Sequence, residues 1–221
     1  MKIKHLNTRW KRFLAWIDML FVDHGFIRIL YNNFYKVSNN VYRSSQPAPF
    51  QVRNYKKKYG VKTIVNLRGD NIFGSYLLEK EEAQKQGIAF IDFRVYSRDM
   101  PKKETILEAK KLFECIEYPI NFHCKSGADR AGLMSALYLI LIENVPVEIA
   151  VKQLAKKYGH FKEAKTGILD YFFQLYLDYS KTHQISFIDW VTQVYDRDKA
   201  VSNFQSSWWA NNLIDKILKR E

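Results

Sequence analysis

Residues 119–132 read PINFHCKSGADRAG, and in that stretch Cys124 and Arg130 bracket a five-residue turn. Such a turn holds the parts of an oxyanion cradle. The main-chain N–H groups of Lys125, Ser126, Gly127, Ala128, Asp129 and Arg130 can face a phosphate, Gly127 and Gly132 permit close approach, and the guanidinium can grip two oxygens. A helix that starts at the end of the turn adds its positive end to the same field. An anion-binding turn of this kind also favours a cysteine in its thiolate form, which is the nucleophile. The chemistry expected is attack of Cys124 on phosphorus to give a phosphocysteine, then hydrolysis.

That reaction needs a carboxylic acid to protonate the departing oxygen and later to activate water. Asp99 lies on the loop after the preceding strand, two residues before Pro101, and is the expected acid. Asp92, inside that strand, and Asp129, within the turn, are its rivals. A loop aspartate is by default a solvated turn residue or cap, so the choice rests on loop position.

The elements that must position these residues follow from apolar periodicity. Segment 119–123 is short and apolar, as a buried strand is, and LMSALYLILI after the turn reads as a buried helix. Upstream, VKTIVNLRG and IAFIDFRV read as two further strands, with a helix over about residues 76–86 between them and another over about 103–117. Downstream, VEIAVKQLAKKYG predicts a helix ending at Gly159, and GILDYFFQLYLDY a second. Strands alternating with helices predict an α/β fold, a central, mostly parallel sheet of four to five strands flanked by helices. Ligands of such sheets bind on loops after strand C-terminal ends, here YSRDMP and HCKSGADRAG. Three regions are expected: a basic, amphipathic helical arm over 1–38, the catalytic domain over 39–181, and a helical tail over 182–221.

HCKSGADRAG resembles the signature of the cysteine-dependent protein tyrosine phosphatase superfamily. VYRSSQP, YGVKTIVNLRG and GIAFIDFRV are similar to segments of its compact atypical dual-specificity members of bacterial type. The resemblance covers roughly residues 40–180. It implies Cys124 as nucleophile, Arg130 as phosphate ligand, Asp99 as acid and His123 as the residue that tunes the thiolate. Ala131 departs from the family's usual Ser or Thr, whose hydroxyl assists breakdown of the phosphocysteine. Asp129 is similar to an aspartate found in myotubularin-like and Sac-type phosphoinositide phosphatases.

The chain's 221 residues, 47% hydrophobic and 15% aromatic, suffice for one well-packed domain with extensions. Cys115 and Cys124 form no disulfide framework, so a reducing, cytoplasmic setting is expected, and their spacing implies neither zinc nor any other metal; no cofactor is called for. Cys115 beside Leu112 reads as a buried small hydrophobe, with a resolving thiol for Cys124 as the alternative. His160, with Lys162, Lys165 and Thr166, reads as surface loop or pocket rim. The basic, apolar start is interrupted by Asp18 and lacks a small-residue cleavage site, which argues against a secretory signal.

Of the formal charge of +12, residues 1–60 carry +10, twelve Lys or Arg against Asp18 and Asp23. An anionic partner is implied, and charge alone does not choose among phosphorylated protein, phosphoinositide or membrane surface. Nucleic acid is not expected, because no recognition motif accompanies the charge. Trp10, Phe13, Leu14, Trp16 and Ile17 are expected to pack on the domain, with peripheral contact to an anionic membrane as the other reading. The tail's WWANNLIDKILKR invites the same two readings. Three functions follow: a phosphotyrosine phosphatase acting also on phosphoserine or phosphothreonine, a phosphoinositide or inositol phosphate phosphatase, and a phosphate-binding module without turnover.

Overall fold

A computed structural model describes residues 5–205. The WWANNLIDKILKR segment of the expected tail lies outside them. The α/β architecture is the expected one, with five strands in the order β1-β2-β5-β3-β4. The strands are β1 Tyr35–Ser38, β2 Val41–Ser45, β3 Thr63–Asn66, β4 Ala89–Asp92 and β5 Ile120–Cys124. All neighbours run parallel except the β1–β2 hairpin. Strand β5 lies between β2 and β3, so its C-terminal end opens at the middle of the sheet, and Cys124 is the last residue of that strand.

The helices are α1 Arg9–Ile17, α2 Gly25–Leu30, α3 Pro49–Tyr59, α4 Gly74–Lys85, α5 Lys103–Cys115, α6 Asp129–Leu141, α7 Val147–Ala150, α8 Ile168–Ser180 and α9 Phe187–Gln193. Pro49 opens α3, where its fixed φ and missing N–H cost nothing. The apolar run of α6 is buried from Ala131 through Ile140, which is why it shows no amphipathic stripe: α5, α7 and the sheet cover it. Fixing α6 in the core fixes the turn that precedes it.

Two expectations for the body of the fold are corrected. The helix expected over 147–159 stops at Ala150 and continues as separate 3-10 turns, Val151–Gln153 and Lys156–Tyr158, with Ala155 extended between them. Arg43 meets the end of the first of these turns, taking the Gln153 carbonyl at 2.6 Å and its side-chain oxygen at 3.0 Å, so the carbonyl that would serve Lys157 in a continuous helix faces Arg43. Cys115 is exposed at the end of α5 and is not a buried hydrophobe. It precedes β5 while Cys124 ends that strand, and both are free cysteines.

The arm packs on the body through one face only. Ala15 and Met19 are buried with Leu78, while Leu14 and Trp16 are partly buried around them. Gly74 leaves room for the Ala15 carbonyl, which would lie 2.1 Å from an added Cβ, and its N–H donates to Asp18 Oδ2 at 2.5 Å. Trp10, Phe13 and Ile17 face outward and are exposed, against the expectation that they pack on the domain. No helix among the described residues is long and apolar enough to cross a membrane.

Candidate active site

The turn from Cys124 to Arg130 connects β5 to α6. Cys124 is 2% exposed, and the Gly127 amide donates to its Sγ at 3.2 Å. Gly127 has φ +76°, and an added Cβ would meet the Ser44 and Ser45 backbone at 2.6 Å, so both conformation and space demand glycine there. Gly132 likewise lies against the Gln153 carbonyl, 2.8 Å from where a Cβ would sit.

Arg43, from β2, was not singled out in the sequence, and it holds the turn from behind. It is fully buried, and one guanidinium nitrogen donates to the carbonyls of Gly127 and Ala128, both at 2.8 Å. Its carbon sits 4.1 Å from the centre of the Tyr158 ring. Burial lowers its pKa to about 10, against the smaller opposing pull of Cys124, so it remains a cation at neutral pH. With two of its carbonyls turned toward Arg43, the turn's backbone cannot easily invert. The signal was an arginine at an inward position of VYRSS, sharing a face with Val41 and Ser45.

Two further residues brace the turn. Asn33 Nδ2 donates to the Ser126 carbonyl at 2.8 Å and to the Tyr158 carbonyl at 2.9 Å. Asn33 has φ 48°, a left-handed conformation that asparagine tolerates better than most residues. Gln46 N–H donates to the Lys125 carbonyl at 3.3 Å. Beneath the turn His123 is fully buried, its Nε2 2.8 Å from Glu79 Oε1 without hydrogen-bond alignment, and Gln46 Nε2 donates to the other Glu79 oxygen at 2.8 Å.

The arm supplies one wall. A cleft of about 400 Å³ is lined by Lys125, Ser126, Asp129, Arg130 and Ser45 on the body, and by His24, Ile27, Arg28 and Tyr31 from the arm. Asp23 ties the two together. Its carboxylate accepts from Arg68 at 2.6 and 3.0 Å, Arg28 at 3.0 Å and Ser75 at 2.6 Å, and pairs with Lys125 at 3.2 Å. Burial alone would raise its pKa, but Arg68 and the other donors outweigh burial and hold it at about 2. Lys125 and Arg28 thus share one carboxylate with Arg68, and the cluster stays net positive, whereas among the described residues the Arg130 guanidinium has no hydrogen-bond or ion-pair partner.

The three candidate acids are held differently. Asp92 accepts from Asn66 and from Tyr76, both at 2.7 Å, within the sheet edge and away from the cleft. Asp99 does not line the cleft. Arg197, in a helical stretch over 197–205, grips both its oxygens at 2.7 Å, and Tyr195 donates to the Pro101 carbonyl at 2.8 Å. Asp129 lines the cleft, and its Oδ1 lies 2.7 Å from Nδ1 of His160, whose Nε2 lies 2.6 Å from Asp170 Oδ2. His160 is thus a buried brace rather than rim. Burial disfavours its charge, but the two carboxylates prevail and raise its pKa to about 9.

Ala131 is fully buried one residue after Arg130, so that position offers no hydroxyl to the turn. Among the described residues no group of three or more His, Cys, Asp or Glu could hold a metal ion. The arrangement can bind a phosphoryl group against Sγ with Arg130 free to clasp its oxygens.

Residues 33–167 match the family described as DSP-PTPase phosphatase fused to NAD+ kinase. Among solved structures, P. aeruginosa TpbA in complex with pTyr is similar with a TM-score of 0.52 at 17% identity, over 72% of this chain and 87% of that one. The core catalytic domain of the PP-IP phosphatase SIW14 from S. cerevisiae, in complex with citrate, gives a TM-score of 0.52 at 15% identity, over 71% of this chain and 98% of that one. At these identities the likeness is one of fold. No curated protein matches by sequence.

Proposed function

The chain belongs to the family of DSP-PTPase phosphatases described as fused to NAD+ kinase, and from that premise we propose that it hydrolyses phosphotyrosine monoesters, with phosphoserine and phosphothreonine as further substrates. The supporting observation is a buried Sγ and an unpaired Arg130 on one braced turn, under a cleft whose outer wall carries Ile27 and Tyr31. An apolar wall above a phosphate cradle suits an aryl ring. TpbA, with pTyr bound in a similar fold, is in keeping with this choice.

In the proposed reaction Arg130 and the turn amides hold the phosphoryl oxygens, and the Cys124 thiolate attacks phosphorus. The ester P–O bond breaks, and the leaving oxygen takes a proton from a carboxylic acid. Water then attacks the phosphocysteine, gives its proton to the same carboxylate, and inorganic phosphate departs as the thiolate re-forms. The acid is Asp99, whose ion pair with Arg197 is partly exposed and so is cheap to break when its loop moves over the cleft.

A second reading keeps the chemistry and takes a phosphoinositide or inositol phosphate. It is favoured by the basic residues that line the cleft, Arg28, Lys125 and Arg130, whose charge Asp23 offsets only in part. The deciding experiment is phosphate release from a phosphotyrosine peptide, a phosphothreonine peptide and phosphoinositide vesicles, with wild type and Cys124→Ser. Release from the tyrosine peptide that is lost in the variant is the expected result. Preference for vesicles would install the second reading. No release from any of the three would leave a phosphate-binding module in place of the enzyme.

A further inference from the structure

We propose that the outward face of the arm is a docking surface for an anionic lipid bilayer. Nine of the sixteen large apolar side chains exposed among the described residues fall between Trp10 and Tyr31, a segment of about one tenth of the chain. Helix α1 has two apolar faces. One, with Ala15, is buried against α4; the other carries Trp10, Phe13 and Ile17 at helical spacing, continued by Phe21 in the π-helical turn Asp18–Val22. Trp10 and Phe21 are each 65% exposed and Leu30, in α2, 86%. Packing against this chain uses the first face and leaves the second uncovered among the described residues.

Charge selects the occupant. Between His5 and Ser38 the sequence has only two acidic residues, Asp18 and Asp23. Both are turned inward, Asp18 onto the Gly74 amide and Asp23 onto Arg68, Arg28 and Lys125. Arg9 and Lys11 are exposed, while Arg12 is spent on Glu81. The outer face is therefore aromatic and aliphatic with cations beside it and no free carboxylate. Aromatic rings and basic side chains of this kind suit the headgroup boundary of a membrane, where apolar area and attraction to anionic lipid add.

Continuity with the cleft gives the surface a purpose. Ile27 and Tyr31, which line the cleft, belong to the same segment as Phe26 and Leu30, and Asp23 anchors that segment to Lys125 of the catalytic turn. Seating the arm on a bilayer holds the cleft beside it, whether the phosphate is on a lipid or on a membrane protein. The docking proposal does not depend on which phosphate ester is cleaved.

The test is co-sedimentation of the full chain with vesicles of phosphatidylcholine, with and without phosphatidylglycerol. Partition is expected onto the anionic vesicles and only weakly onto the neutral ones. Trp10→Ser/Phe13→Ser/Phe21→Ser should lower that partition by about tenfold or more, and Arg9→Gln/Lys11→Gln by a few-fold. Neither variant touches the cleft, so hydrolysis of a soluble aryl phosphate should stay at the wild-type level. Cys124→Ser should bind vesicles like wild type, which separates docking from capture of a headgroup in the cleft. Wild type remaining in the supernatant with both vesicles overturns the proposal, as does a triple variant that binds unchanged. A self-associated wild type that the triple variant turns monomeric, with no vesicle binding, would overturn it too and give the face to a second copy.

Discussion

The Cys124–Arg130 turn and the loop that carries Asp99 are secured in opposite ways. The Cys124–Arg130 turn is tied to the body by buried groups: Arg43 on two carbonyls, Asn33 on a third, Gln46 on a fourth, and His160 on Asp129. The Asp99 loop is tied by Tyr195 and Arg197, and the Arg197–Asp99 pair leaves 30% and 40% of those side chains exposed. Buried polar ties are costly to break, because each released group loses water and partner together, whereas an exposed ion pair is worth about 0–1 kcal/mol. The proposed phosphate cradle is thus the more firmly held of the two, and the loop of Asp99, the proposed acid, the more weakly held. That contrast favours Asp99 over Asp129 as proton donor: Asp129 is closer, but it is held by a buried, charged histidine.

The largest break in the comparison comes from Arg43→Met. Leaving the carbonyls of Gly127, Ala128 and Gln153 without their donor should cost on the order of 3 kcal/mol in chemical denaturation and remove most of kcat. Next comes the contest of acids. Asp99→Asn should lower kcat on phosphotyrosine by about 100-fold or more, and much less on an aryl phosphate whose leaving group needs no proton. Asp129→Asn should cost about tenfold or less, without that dependence on leaving group. The reverse pattern would transfer the acid role to Asp129.

A smaller effect belongs to His160. Its pKa is raised in the folded state to about 9, so its contribution is full below the unfolded histidine value of about 6.5 and is lost as pH rises through about 9. Thermal melts should therefore show stability falling between those limits, by on the order of 2–3 kcal/mol for this group. His160→Gln should be less stable at pH 6 and should flatten that slope. The smallest effect is expected for Arg197→Ala, with less than about 1 kcal/mol lost and kcat raised severalfold by release of the Asp99 loop. Unchanged kcat would mean that the loop is not limited by this clasp.

Ala131 sharpens the same picture from inside the turn. Ala131→Ser places a hydroxyl after Arg130 with little added volume. If breakdown of the phosphocysteine limits turnover, an initial burst of alcohol or phenol release should be present in wild type and reduced in the variant.

Much of the fold was legible because its signals are local. The strands around Ile64 and Phe122 and the buried run of α6 each announce themselves within a dozen residues. The arm was half legible: its apolar positions were visible, but periodicity does not say which of two apolar faces meets the body, and Ala15 rather than Trp10 is the side that does. The helix over 147–159 was misread because the contact that meets it at Gln153 comes from Arg43, 110 positions away, which no local pattern shows.

The sequence by itself determined the cysteine–arginine turn, the strand before it and the helix after it, because spacing, glycine and apolar runs act over short distances. Only the tertiary structure decided that Arg43 and Asn33 brace that turn, that Asp23 binds the arm to Lys125, and that Arg197 holds Asp99. Hydrogen bonds and ion pairs of this kind join residues far apart in the chain, and their partners are chosen by where the sheet and helices bring them, which no local pattern encodes.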